Sequence, residues 1–285
     1  MSISKKFTFG LIWNLIGQSM IGFLGAIISI LIARKLGKTE LGIYASILTV
    51  PATIRLFTFL GFETILNLKL PILQAMEKGK EKMRYLIRKF LFYRLVVISI
   101  VAIFLYLVEP LLQKFFREIN FSLYLPFIVF YLGTLMIFSY LTMIFRALLK
   151  IKIVSTIESI NQFINLLLLI LFFTLGFKVE GILSAFIIAN IVSIFVLIYL
   201  GRDYIFGHTS TVNLYESYEI GAAAAFGAFI SFGLGKQADI IIMNYFNVPS
   251  EKIGLYFLCF SLTSMMVLPL QGIGALSQSI FSEVY

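Results

Sequence analysis

The sequence predicts an all-α, polytopic membrane helix bundle of about eight transmembrane helices, and three observations carry that prediction. Of the 285 residues, 60% are apolar and only 13% are charged, against ~45–50% and ~25% in a typical water-soluble domain. That leaves too little polar surface to cover a soluble globule. The mean hydropathy of +0.99 is concentrated in runs of about 20 residues, the length an α-helix needs to cross ~30 Å of hydrocarbon. Runs such as Ile164 to Leu175 and Ile182 to Leu200 also lack the period-2 alternation of outer-membrane strands, which argues against a β-barrel.

Eight spans follow, at 9–33, 43–66, 87–108, 122–145, 153–175, 181–200, 219–246 and 253–276. Span 1 follows Lys5 and Lys6 as a signal peptide would. Its apolar stretch is too long for one, however, and no small-residue cleavage site follows Ile32-Ala33-Arg34. It carries a row at i, i+4 spacing, Gly10, Asn14, Gln18, Gly22 and Ala26, which suits close helix packing with interhelical hydrogen bonds, and equally a helix lining a hydrated groove. Span 2 holds two ionisable residues, Arg55 and Glu63, set about 80° apart around a continuous helix. The basic connection over 69–94 predicts a short interfacial helix that continues into span 3. It is either a topology determinant or a landing patch for an anionic lipid headgroup, each Lys or Arg there gaining ~1 kcal/mol near an anionic leaflet.

Spans 3 and 4 rest on apolar length. Span 5 has a narrow polar face, Glu158, Asn161, Gln162 and Asn165, with packing and functional readings both open. Span 6 shows an ordinary packing stripe of Gly181, Ala185 and Ala189. Span 7 repeats the span 1 pattern with Ala223, Gly227, Ser231, Gly235 and Asp239, and its glycines at 221, 227, 233 and 235 make it easy to bend. Lys236 and Asp239, at i and i+3, share one face of it and can pair. Pro269 in span 8, followed by Gln271 and Gly272, predicts a kink or a discontinuous helix end.

With the N-terminus inside, the inner segments carry twice as many Lys and Arg residues as the outer loops. The inner set is Lys5, Lys6, Lys69, Lys78, Lys80, Lys82, Arg84, Arg88, Lys89, Arg94, Arg146, Lys150, Lys152 and Arg202. The positive-inside rule then puts both termini in the cytoplasm. Arg34, Lys35 and Lys38 in the first outer loop oppose it.

The composition also excludes functions. A single cysteine, Cys259, forms no internal disulfide or thiolate site, and a single His208 removes His-based zinc and most Ser-His chemistry. There is no phosphate-cradling Gly-rich loop, no Gly-x-Ser-x-Gly and no Asp-x-Asp. The expectation is a non-enzyme with no metal and no cofactor. The net charge of +9 reads as inner loops against anionic headgroups rather than as nucleic-acid binding. Charges at membrane depth cost ~2.5–3.5 kcal/mol on insertion scales, so Arg55, Glu63, Lys236 and Asp239 are default functional candidates. The plainer alternative is that each neutralises a neighbour and fixes helix register.

Phe9-Gly10-Leu11-Ile12-Trp13-Asn14-Leu15-Ile16-Gly17-Gln18 and the turn Ala33-Arg34-Lys35-Leu36-Gly37-Lys38-Thr39-Glu40-Leu41-Gly42-Ile43-Tyr44 resemble the polysaccharide biosynthesis protein family. These are Wzx-type flippases for lipid-linked oligosaccharides such as O-antigen units of lipopolysaccharide, within the MATE-like MOP exporter superfamily. Leu60-Gly61-Phe62-Glu63, Glu180-Gly181, Asp239 to Ile242 and Ile253-Gly254-Leu255-Tyr256 support the resemblance. It implies a six-helix N-terminal lobe over 1–205 and the first two helices of a second lobe over 206–285, with spans 1, 2, 7 and 8 lining a central cavity.

It also implies that Arg55 and Lys236 offer positive charge to a lipid pyrophosphate. Asn14, Gln18 and Gln271 would add polar lining, and Glu63 and Asp239 would balance charge or carry a coupling ion. The implied partners are a polyprenyl-pyrophosphate-linked oligosaccharide, membrane lipids and other polysaccharide assembly proteins, at a bacterial inner membrane. Alternatives are an exporter of small amphiphiles and a non-transporting scaffold or subunit of an assembly complex. Such flippases usually have twelve or fourteen spans. The expectation is therefore a fragment of a longer reading frame, or a short protein that completes its second lobe by oligomerising.

Overall fold

A computed structural model describes residues 3–58, 61–212, 215–233 and 236–264. Among them there are helices and short turns and no strand. Such a chain satisfies its backbone polar groups within each segment, which is what lipid demands.

The first helix, α1 (Ile3–Phe57), is 55 residues long but not one rod, because Gly37 breaks it with φ 75 and ψ 179. At 1.5 Å per residue a straight helix of that length would run ~80 Å, far beyond the bilayer. Spans 1 and 2 are its two arms, and the expected first outer loop shrinks to a hinge at Gly37. Nothing stands within 4 Å of a Cβ built there, so backbone freedom alone calls for glycine.

The second arm ends at Phe57, not at 66 as hydropathy predicts. Gly61 adopts φ 68 and ψ 7 and opens a separate helix, α2 (Phe62–Gln74). The apolar run continues through the break, so hydropathy cannot register it. After a turn, α3 (Gly79–Phe115) carries most of the basic residues of the 69–94 connection, Lys69 lying in α2 and Lys78 just before α3, and runs on into span 3. Several of those side chains are tied to protein. The Nε of Arg84 donates to the Asp203 carbonyl at 3.0 Å and that of Arg88 to the Ile205 carbonyl, pinning the segment that leaves α6.

The remaining helices are α4 (Phe121–Ala147), α5 (Ile151–Thr174), α6 (Val179–Leu200), the short α7 (Arg202–Ile205), α8 (Tyr215–Gly233), α9 (Lys236–Tyr245) and α10 (250–264). α8 and α9 fall on span 7, with residues 234 and 235 between them outside the described residues. α10 is the described part of span 8.

The six spans in α1, α3, α4, α5 and α6, with α2, pack as one bundle. α1 lies on α5, α4 on α6 and α3 on α4. Gly17 lets α1 approach α5 so closely that a Cβ there would overlap Ser155, the small-residue packing expected between helices in lipid. Ala185 and Ala189 on α6 are fully buried. α3 is the outermost helix: Phe92, Ile100, Phe104 and Leu107 are exposed, Leu107 at 74%, as lipid-facing residues would be. One apolar cluster, around Ile47, Phe121, Ile128 and Ile182, fills the Gly37 end of the bundle. Another, around Leu66, Leu86, Phe90 and Phe145, fills the opposite end.

α8 to α10 cross this bundle at glycines. A side chain at Gly61 would overlap the Gly221 backbone, and one at Gly42 would overlap the Ser250 carbonyl. A Cβ on Gly254 would stand 2.6 Å from the Lys38 carbonyl oxygen. The Leu41-Gly42-Ile43-Tyr44 and Ile253-Gly254-Leu255-Tyr256 segments therefore meet each other. Lys38 pairs with Glu251 at 3.2 Å, and Lys178 with Glu40 at 2.7 Å, so part of the positive charge that opposes the inside rule is neutralised at this end.

Candidate functional site

The bundle forms an open cavity of about 360 Å3. α1 contributes Gln18 and Arg55, α2 Glu63, α3 Arg94, α4 Thr142 and Arg146, and α5 Glu158, Asn161 and Gln162. The helix ends explain part of this placement. Arg55 and Arg146 occupy the last turns of the second arm of α1 and of α4, where the dipole favours cations, and Glu63 occupies the first turn of α2, where it favours anions.

Three guanidiniums thus converge on one space, and two are neutralised in place. Arg94, whose side chain is 2% exposed, is paired with Glu63, and its Nη1 donates to the Thr58 carbonyl at 3.2 Å across the α1–α2 break. The Nη2 of Arg146 donates to both oxygens of Glu158, at 2.6 and 2.7 Å. Arg55 has no ion-pair partner among the described residues. The cavity therefore carries one positive charge without an ion-pair partner among the described residues, on the exposed Arg55.

A second chamber, of about 280 Å3, adjoins the first and shares Leu135, Phe138, Asn161 and Gln162 with it. Tyr44, Tyr131, Asn165, Phe186 and Asn190 also line it. The polar face of span 5, whose role the sequence leaves open, is the wall common to both. Asn161 donates to Asn190 and to Ser193 (3.3 and 3.0 Å), tying α5 to α6, while the Asn165 amide donates to Asn161 at 3.3 Å.

The family described as polysaccharide biosynthesis protein matches residues 7–276. The chain belongs to that family. Among curated proteins none matches it. Solved structures do. One, described as protein A, has a TM-score of 0.73 at 16% identity, over 100% of this chain and 66% of that one. A mutant of the Vibrio cholerae MATE transporter VcmN gives 0.63 at 16% identity, over 99% and 69%. A MATE in complex with Br-NRF gives 0.65 at 17% identity, over 99% and 68%. This family member thus has the fold of MATE transporters and spans about two thirds of the length of these structures.

Within that fold the sequence-chosen residues separate. Arg55, Gln18 and Glu63 meet at the first cavity. Asn14 is buried in α1 but is not among the residues lining either chamber. Asp239 is exposed and accepts a hydrogen bond from the Tyr256 hydroxyl. Lys236 opens α9, its side chain outside the described residues, as is Gln271 altogether. Because the helix breaks before Gly61, Glu63 does not sit 80° from Arg55 on one helix. It faces Arg94 from a different one.

Sequence reasoning missed Arg94 and Arg146, both counted with the inner segments. Arg94 lies inside the span predicted for 87–108, which is the signal that could have moved it. Arg146 lies just past the end of span 4 and carried no such signal.

Proposed function

We propose that this chain works in a bacterial inner membrane as a flippase for polyprenyl-pyrophosphate-linked oligosaccharide, with Arg55 as the group that engages the phosphate. The observation that carries this reading is the unpaired guanidinium of Arg55, in a cavity where Arg94 and Arg146 are each held by a carboxylate. An exporter of cationic amphiphiles would gain from the reverse balance, an acid left unpaired. A guanidinium offers a forked set of charge-assisted hydrogen bonds to phosphate. Gln18 and Gln162 line the same cavity and add amide donors.

The polyprenyl tail stays in lipid while the phosphate and sugar occupy the cavity, and the bundle moves against the second lobe to present them to the other face. Glu63 serves as charge balance to Arg94. Lys236, Asn14 and Gln271 belong to the same proposal as further substrate-binding groups and Asp239 as a coupling or charge-balancing one, as do other assembly proteins as partners.

Complementation of a flippase-deficient strain tests it. Arg55→Ala abolishes surface polysaccharide at unchanged membrane abundance, and Arg55→Lys retains part. Full export by Arg55→Ala refutes the assignment.

A further inference from the structure

We infer that the second chamber is a binding site for a single uncharged sugar ring, the one bonded directly to the phosphate held in the first chamber. This rests on the flippase reading above and adds what that reading leaves open, the class of the first sugar. The chamber holds unused hydrogen-bonding capacity. The Asn165 side chain is 4% exposed and its Oδ1 accepts no hydrogen bond. Neither the Tyr44 nor the Tyr131 hydroxyl is hydrogen-bonded among the described residues, although both line the space.

Buried polar groups are normally paired, and leaving them empty costs free energy. One carbonyl acceptor and two hydroxyls, each able to donate and accept, are what a ring of hydroxyl groups can satisfy.

Two aromatic pairs frame these groups. Tyr44 meets Phe257 edge to face and Tyr131 meets Phe186 at a tilt, both at 5.7 Å between centroids. All four residues line the chamber, and ring faces are what the apolar C–H faces of a pyranose pack against.

Charge and size narrow the ligand further. No Asp, Glu, Lys, Arg or His is among the described residues lining the chamber. A metal cation would find no carboxylate to offset its desolvation, and an acidic sugar would find no cation. A cavity of about 280 Å3 has room for a pyranose ring. Because the chambers share Asn161 and Gln162, a phosphate at Arg55 and its sugar can occupy them together.

Titration of the full chain in detergent micelles with soluble diphosphate probes tests this. Uridine diphosphate reports the first chamber, and UDP-N-acetylglucosamine and UDP-glucuronic acid report the second. The expected result is that UDP-N-acetylglucosamine binds about tenfold tighter than uridine diphosphate, while UDP-glucuronic acid shows no such gain. Asn165→Ala removes the gain and leaves uridine diphosphate binding unchanged, and Arg55→Ala weakens all three ligands alike.

Equal affinity of the two nucleotide sugars, or a gain that survives Asn165→Ala, overturns the sugar site and leaves the flippase reading standing. Sodium chloride that alone raises the melting temperature, in a manner lost with Asn165→Ala, assigns the chamber to a cation instead. If Arg55→Ala changes nothing, the failure lies with the phosphate assignment. The comparison of sugars on the unaltered chain keeps the proposal falsifiable even where Asn165→Ala folds poorly.

Discussion

Replacing Arg94 by methionine isolates the buried ion pair that joins α2 to α3. The Arg94 and Glu63 side chains are 2% and 8% exposed, so water cannot take the place of the lost guanidinium. Glu63 is left without its cation in a site whose second oxygen already lacks a partner, and the Thr58 carbonyl loses its donor. Removing one member of a buried pair costs ~3–5 kcal/mol. The upper half of that range is expected here, because the carbonyl at the α1–α2 break is orphaned as well. Methionine keeps most of the volume, so the cavity contribution stays small.

Glu63→Gln made together with Arg94→Met removes the stranded acid. Replacing both partners of a buried pair is often neutral or stabilising, so the double variant is expected within ~1 kcal/mol of the parent and above either single variant. Reversible unfolding of the purified chain in mixed micelles, titrated with SDS, measures all four proteins. A single-variant loss under ~1 kcal/mol, the value of an exposed pair, would show that the pair is not buried in the membrane. A double-variant loss equal to the sum of the singles would show that the two residues do not interact.

Two positive-φ glycines, one with ψ near 180° and open space and one left-handed against a neighbour, compare backbone strain alone with strain plus a collision. Gly37→Ala, at φ 75 and ψ 179 with open space around it, is expected to cost ~1–3 kcal/mol for a backbone that essentially only glycine adopts. Gly61→Ala, at φ 68 against the Gly221 backbone, adds a collision and is expected to abolish folded protein on size-exclusion chromatography. Equal behaviour of the two variants would remove the α2–α8 crossing as a determinant. For the orientation, alkaline phosphatase fused after Lys150 is expected to be inactive and after Phe177 active. The opposite pattern inverts the bundle and moves the cavity's cationic end to the outside.

The number and position of the helices were legible in the sequence at most places. The spans expected at 122–145, 153–175 and 181–200 lie within a few residues of α4, α5 and α6, because the cost of unpaired polar groups in lipid sets both length and composition. Where a glycine changed the backbone inside an apolar run, as at Gly61, hydropathy had nothing to detect. The polar face of span 5 was also legible as a pattern, since Glu158, Asn161, Gln162 and Asn165 follow helical spacing. What it faced was not.

The candidate site shows the same division. Arg55 and Glu63 stood out one by one, as charges in apolar surroundings. Their partners did not, because Glu63 meets Arg94 from 31 residues away on another helix. Sequence by itself determined that this chain spans a membrane as a helix bundle, since the bilayer acts on each segment separately and leaves its mark locally. Only the tertiary structure decided which charges cancel and which one remains, since that depends on how each helix is rotated against its neighbours, and packing fixes that rotation between segments remote in sequence.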